Sequence, residues 1–369
     1  MPRQLTSSVK IDSPVADTAP LPRHGLQRFS RHSSLGPAVT LVLVYILFFA
    51  VGHKHGFSTV AGTANWVDVA AELCIIAMPY SLLMIAGEFD LSIGSVIGAA
   101  SMIVAICVVQ YKIPVAVAVL LALIFGAGIG WINGMLVVKA KLPSFIVTIG
   151  TNFVVAGATL GLSRTLVNTA QMEVVIGGVF RSIFAEQWHQ FNVSAIWAAG
   201  VSAIVIWVMA STRYGNWIYG IGGNLEAARR AGVRTDRIKI QLFMATGVAA
   251  GLVGIIETIE FNTGNGQAGQ DFLFTTPVAV VVGGILLTGG YGEPLGVVMG
   301  AAIYGIVNGG IFYAGWDSDW AQAFLGFLMM LAVVSNNHVR RVALSEGRPA
   351  DQRPFVGTIA ELIWRRDKT

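Results

Sequence analysis

The chain has 369 residues, 54% of them hydrophobic and only 12% charged, about half the roughly 25% typical of soluble domains. Its mean hydropathy is +0.68, and a water-soluble fold of this length would need a polar skin that the composition does not supply, which excludes a soluble globular protein. The net charge of +4 does not point to nucleic acid, because the cations sit between apolar runs, where they report topology.

Residues 1–35, rich in Ser, Pro and Arg, read as a disordered cytoplasmic leader. The first apolar run follows them, so no cleavable signal peptide is expected. Ten apolar spans near the ~20-residue bilayer length are predicted at 36–52, 65–86, 94–111, 114–138, 143–162, 193–211, 240–261, 274–289, 294–313 and 320–337. "HKHG" at 53–56 is an outer loop, too short for a metal site. Cys74 and Cys107, inside apolar runs, read as small buried hydrophobes. Residues 339–369 form a cytoplasmic tail, leaving 36–338 as the transmembrane domain.

Charge tests the drawing. With the N-terminus inside, 20 of the 24 Lys and Arg fall on inner segments, and only Lys54, Lys112, Arg164 and Arg181 fall outside. That bias predicts an even number of spans with both ends cytoplasmic. The longest outer connection, 163–192, carries Glu173, Arg181, Glu186 and Trp188 and offers a docking surface.

Between the second and third spans, "GEFDLSIGSVIGAA" (87–100) aligns without gaps on "GGYGEPLGVVMGAA" (289–302), with six of fourteen positions identical. Both copies join an inward-running to an outward-running span, so the repeat is parallel, with its axis along the membrane normal. Carboxylates at bilayer depth are costly and usually functional. Here Glu88 and Asp90 mark a helix break near the cytoplasmic end, with Asp90 or Ser92 capping the new helix, and Glu88, Asp90 and Ser92 are also gate candidates.

Gly126, Gly130 and Gly134 make a small-residue stripe, and Gly247/Gly251 and Gly305/Gly309 repeat it, for packing within one subunit or between two. Polar groups inside spans supply path candidates: Asn133, Thr148, Thr151, Asn152, Asn308 and the pair Glu257/Glu260. Glu257 and Glu260 share a helix face. They could be solvated, bind a hydroxyl-rich or cationic solute, or pair with Arg164 or Arg181.

"TRYGNWIYGIGGNLEAARRAGVRTDRIKI", 212–240, is too polar to span. Within it 224–232 reads as a short helix capped by Asn224, ending in Arg229 and Arg230 and stopped by Gly232. The order of "GEFDLSIGS", "LPSFIVTIG" (142–150), "TRYGNWIYGIGGNLEAARRAGV" and "VVVGGILLTGGYG" (280–292) resembles permease subunits of sugar-type ABC importers, the ribose-permease-like branch of a superfamily that includes branched-chain amino acid permeases. The resemblance spans about 65–338. It implies an all-α, type II-like permease of about ten helices, paired with a second permease copy, identical or paralogous. Partner ATPases carrying ATP and Mg, a periplasmic solute-binding protein and the bacterial inner membrane are also implied. Gly222, Gly223, Asn224, Glu226, Ala227, Ala228, Arg229 and Gly232 match the loop that touches the ATPase.

Glu88 replaces a usual Gly of that family, and the acids at 257 and 260 stand where a basic or neutral residue is common, which weakens ribose itself as the solute. The chain has no GxxxxGK[ST] loop, so no ATP hydrolysis, enzymatic activity or cofactor of its own is expected. The competing reading is a self-sufficient ion-coupled carrier using its membrane acids.

Overall fold

The computed structural model describes residues 34–345; the rest of the predicted leader, and the tail beyond 345, lie outside the described residues. The described residues are mostly helical, with four short strands. The helices are α1 (Leu35–Gly52), α2 (Val60–Ile85), α3 (Ile93–Ala105, continued by a π turn Ile106–Gln110), α4 (Val115–Lys139) and α5 (Ser144–Val167). There follow β1 (Gln171–Glu173), α6 (Val179–Phe184), β2 (Gln187–Trp188), β3 (Phe191–Asn192) and α7 (Ser194–Ser211). Next come α8 (Arg213–Gly223), α9 (Leu225–Arg230), α10 (Thr235–Glu260), β4 (Thr263–Asn265), α11 (Phe272–Val282), α12 (Pro294–Tyr313) and α13 (Trp320–Ser345).

Local chemistry sets these bounds. The Thr59 hydroxyl oxygen accepts from Gly62 N (3.1 Å), starting α2 five residues before the predicted 65. Pro114 and Pro143 precede α4 and α5, and Pro294 opens α12, where a missing N–H costs nothing. The polar Thr235–Lys239 turn is helical, so α10 begins before the apolar run predicted at 240.

Eight helices are long and apolar enough to cross a membrane among the described residues, and two predicted spans are realised as shorter apolar helices. The span expected at 274–289 needs correction. Only 272–282 is helical, about 16 Å of rise. Beyond it the chain turns at Gly284, Gly289, Gly290 and Gly292, all with positive φ, a region that costs side-chain-bearing residues energy. The span drawn to 337 continues as helix to Ser345, past the predicted start of the tail.

α2 is the central pole, with every side chain from Leu73 to Ile85 buried. It packs against α12, α7 and α10, while α10 also packs along α4 and α3. The α4–α10 seam explains the glycine stripe. A Cβ at Gly126, Gly130 or Gly134 would strike the Gly247 carbonyl, the Phe243 carbonyl or Ile240, so the antiparallel helices touch backbone to backbone. Close approach of this kind replaces the hydrophobic drive that lipid removes. The stripe therefore packs within the subunit. Phe48, Phe57, Ile303, Ile306 and Leu325 form a second core joining α1 and α13 to α12. α4, α5 and α7 expose apolar side chains such as Ile124, Phe153, Val154, Ile204 and Trp207, as lipid-facing helices do.

The two repeat copies meet. Gly289 lies against Gly87, both at positive φ, and Gly290 N donates to Ile85 O (2.8 Å). Their paired glycines do the same work. Gly94 and Gly98 admit the carbonyls of Gly269 and Gly266, while Gly296 and Gly300 admit those of Gly283 and Ala279. This places both copies on one face of the molecule, the face carrying Lys139, α8 and α9. On the opposite face β1 pairs antiparallel with β4, Gln171 facing Asn265 and Glu173 facing Thr263, and β2 pairs with β3.

Candidate functional site

The break between α2 and α3 is a buried polar knot. Asp90, 1% exposed, accepts from Ser92 N (2.9 Å), Ser92 Oγ (2.6 Å) and Thr246 Oγ1 (2.8 Å). Asn133 Nδ2 donates to Ser92 Oγ (2.8 Å), and Thr151 Oγ1 donates to Asn133 Oδ1 (2.7 Å). Ser144 Oγ accepts from Phe89 N (3.1 Å). Three donors satisfy this carboxyl group, which reduces the cost of burying it.

The capping expectation is corrected here. Ser92 occupies the N-cap of α3 without capping it, and the amide of Ser95 instead donates to Asn152 Oδ1 (3.2 Å), a side chain from α5. Asp90 is turned towards Ser92 and α10. Three path candidates, Asn133, Thr151 and Asn152, thus join the break residues Asp90 and Ser92 in one network tying α3, α4, α5 and α10. Thr148 stands apart, its hydroxyl donating to Ser144 O within α5 (2.8 Å). Asn308 is also separate, bonded to Tyr304 on α12. Glu88 is neither cap nor free acid. It pairs with Lys239 Nζ (2.5 Å), the two side chains 11% and 13% exposed.

The segment 212–239 folds as two helices where one was expected. The Thr212 hydroxyl oxygen accepts from Gly215 N (3.3 Å), starting α8; Asn224 Oδ1 accepts from Ala227 N (3.0 Å), starting α9. Gly232 ends α9 at φ +84. Arg229 braces α9 against the root of α10, reaching Asp236 (2.9 Å), Thr235 (3.1 Å) and Glu226 (3.6 Å). The eight matched residues divide. Gly223, Asn224, Glu226, Ala227, Arg229 and Gly232 are exposed, whereas Ala228 is buried and Gly222 half-buried. Gly222 is where the hairpin touches the membrane domain, since any Cβ there would meet the Ile85 carbonyl and the Gly290 amide. Tyr219 adds a second tie, its hydroxyl donating to Gly292 O (2.7 Å). Burial, and then the Glu293 carboxylate, push that phenol above its ordinary value, keeping it a donor. The hairpin thus contacts the paired glycine turns beside the break that carries Glu88 and Asp90.

On the opposite face, acids converge that sequence reading only half found. Asn192 Nδ2 donates to Glu260 Oε1 (2.5 Å), Asn192 N donates to Asp68 Oδ1 (3.1 Å), and the carboxyl of Glu72 meets that of Glu260. Arg181 lies nearby, donating to Asn262 Oδ1 (3.1 Å), so of the two cations suggested it is Arg181 that approaches, while Arg164 is exposed. Glu257 and Glu260 are half-buried, and the solvated reading fails for Glu260. Asp68 and Glu72 were missed, although their i, i+4 spacing inside the span drawn at 65–86 was visible. Thr246, the partner of Asp90, has no sequence signal, because its role depends on where α10 lies.

Residues 62–333 match the family described as branched-chain amino acid transport system / permease component. The chain is 30% identical over 325 residues to the fructose import permease protein FrcC of Rhizobium meliloti, covering 86% of this chain and 89% of that protein. It is 31% identical over 308 residues to the ribose import permease protein RbsC of Escherichia coli (strain K12), covering 81% and 92%. It is 28% identical over 319 residues to the autoinducer 2 import system permease protein LsrC of Photorhabdus luminescens, covering 85% and 93%. No solved structure matches significantly. With the polytopic helical fold and the family match over most of its length, the chain belongs to the branched-chain amino acid transport system permease family and is a multi-pass permease subunit of an ABC importer.

Proposed function

We propose that the chain moves a small sugar, polyol or related solute inward across the bacterial inner membrane by alternating access, with both termini cytoplasmic. Its free energy comes from ATP and Mg on a partner ATPase. The observation that carries this reading is the contact of the exposed α9 hairpin, through Gly222 and Tyr219, with the glycine turns that hold the α2–α3 break. Such a contact lets a soluble partner bias two arrangements of a buried element, which is what alternating access needs. A periplasmic solute-binding protein delivers the solute, and a second permease copy completes the pathway. The named cargoes of the relatives, fructose, ribose and autoinducer 2, support a small hydroxylated solute. The exposed apolar faces of α4, α5 and α7 leave room for the second copy beside lipid.

ATP-dependent uptake in right-side-out vesicles loaded with ATP and supplied with the solute-binding protein tests the assignment. Glu226→Lys, which opposes the partner across an exposed helix start, abolishes uptake while the chain still inserts. Wild-type uptake by that variant contradicts the coupling role.

A further inference from the structure

Between Glu260 and α11 the chain does not stay at the surface. It descends along α3. Gly264 packs on Ala105, the amide of Asn265 donates to Ser101 Oγ (3.0 Å), and the carbonyls of Gly266 and Ala268 rest on Gly98. The Gly269 carbonyl rests on Gly94, and only then does α11 begin. From Ala105 to Gly94 is about 16 Å of helix rise, so 264–271 penetrates roughly half a span. Irregular backbone at such depth is tolerated where it is buried in protein or lines a cavity. Both apply here. The buried Ser101 Oγ also accepts from Thr258 Oγ1 (2.7 Å), fixing the descending segment to α10 as well as α3.

Above this segment lies an open cavity of about 410 Å³, within the range of small-molecule sites. Its chemistry is one-sided. Glu257 and Asp271 supply carboxylates, Asn265, Gln267 and Gln270 carboxamides, and Phe272 an aromatic face; among the described residues no Lys, Arg or His lines it. Asp271 stands at the N-cap of α11 without capping it, and the side-chain amides of Gln267 and Gln270 have no partner among the described residues. These groups are therefore available to a ligand. Glu72 and Glu260 stand behind Glu257. Gly269, which lines the cavity, rests on Gly94, two residues from Ser92 of the buried knot.

We infer that this cavity is the outward-facing solute site, and that it takes a polyhydroxylated solute without negative charge, held by hydroxyl or ammonium donors on Glu257 and Asp271. The inference rests on the importer reading and sharpens it. Phosphorylated and carboxylated sugars are rejected, because their anions would face two carboxylates with no cation to answer them. Neutral sugars and amino sugars are admitted. Sequence reading came near with Glu257 but missed its partners, because 262–271 is apolar-poor and reads as an ordinary connection.

The test is saturation-transfer NMR on the full chain in lipid nanodiscs, titrated with D-ribose, D-glucosamine and D-ribose 5-phosphate at constant ionic strength. The first two give transfer signals and the phosphate gives none. Glu257→Gln with Asp271→Asn weakens D-glucosamine at least tenfold, and the exposed change Gln267→Ala, which disturbs no packing, weakens D-ribose several-fold. Equal signals from the phosphate, no signal from any probe, or unchanged binding in both variants overturns the site. Because Glu226 lies on the other face, loss of the site alone with intact ATP-driven uptake leaves the importer reading standing. Uptake without an ATPase would sink that reading while leaving the cavity untouched.

Discussion

Gly222→Ala perturbs the link between hairpin and membrane domain at a single methyl group. That methyl would overlap both the Ile85 carbonyl oxygen and the Gly290 amide, which are hydrogen-bonded to each other at 2.8 Å. Neither is a flexible side chain that can swing aside, so the hairpin must lift or the turn must open. Overpacking of this kind costs about 1–3 kcal/mol, and losing the backbone hydrogen bond adds about 0.5–1.5 kcal/mol. Even the lower half of the combined range, ~1.5–3 kcal/mol, depopulates the seated arrangement about 10- to 150-fold. The expected outcome is a fall of that size in ATP-driven uptake, with the chain still inserted and the ATPase still able to hydrolyse ATP. The control is Gly220→Ala on the same helix, whose Cβ would meet nothing closer than the Ala228 Cβ at 4.0 Å. Uptake falling equally in both variants, or in neither, would refute the idea that force passes through Gly222.

Three further outcomes follow from the same geometry. Removing one partner of the Glu88–Lys239 pair leaves a poorly exposed charge alone, costing about 3–5 kcal/mol; Glu88→Lys should lower the melting temperature in detergent, and the double swap Glu88→Lys with Lys239→Glu should recover most of it. Asn152→Ala strips the Ser95 amide of its only acceptor, a loss of about 1–3 kcal/mol, read as faster hydrogen exchange at the start of α3, whereas Thr148→Val, whose hydroxyl bonds only its own helix, should change little there. Gly126→Leu forces the Gly247 backbone away and should sharply reduce the folded yield on expression, while Gly128→Leu, open on all sides, should not.

Sequence reading located the elements and the short helix within 224–232 well, for physical reasons. Apolar runs and flanking cations are properties of the chain itself, and Asn224 and Gly232 act on their own neighbours three or so residues away. The Gly126–Gly134 stripe was equally plain, because helical spacing makes it contiguous. Partners set by tertiary packing were invisible. Asn152 capping α3 and Thr246 holding Asp90 bring together residues 57 and 156 positions apart. The short α11 was misdrawn because hydropathy does not separate an apolar helix from apolar turns, and the glycines from 283 onward decided the matter. Acids at 68 and 72 were on view but lay inside a span read as uniformly apolar. The descending segment 264–271 escaped notice because a connection that re-enters the protein carries no more polarity than one that stays outside.

The account depends on α9 facing the cytoplasm and meeting an ATPase. Ala227→Cys, in a chain with Cys74→Ala and Cys107→Ala, places one thiol on the exposed face of that helix. A membrane-impermeant maleimide should leave it unlabelled in cells with only the outer membrane opened, label it in inverted vesicles, and a thiol-to-amine cross-linker should join it to the ATPase subunit. Labelling from the periplasmic side, or solute accumulation by purified chain with no ATPase present, would contradict it.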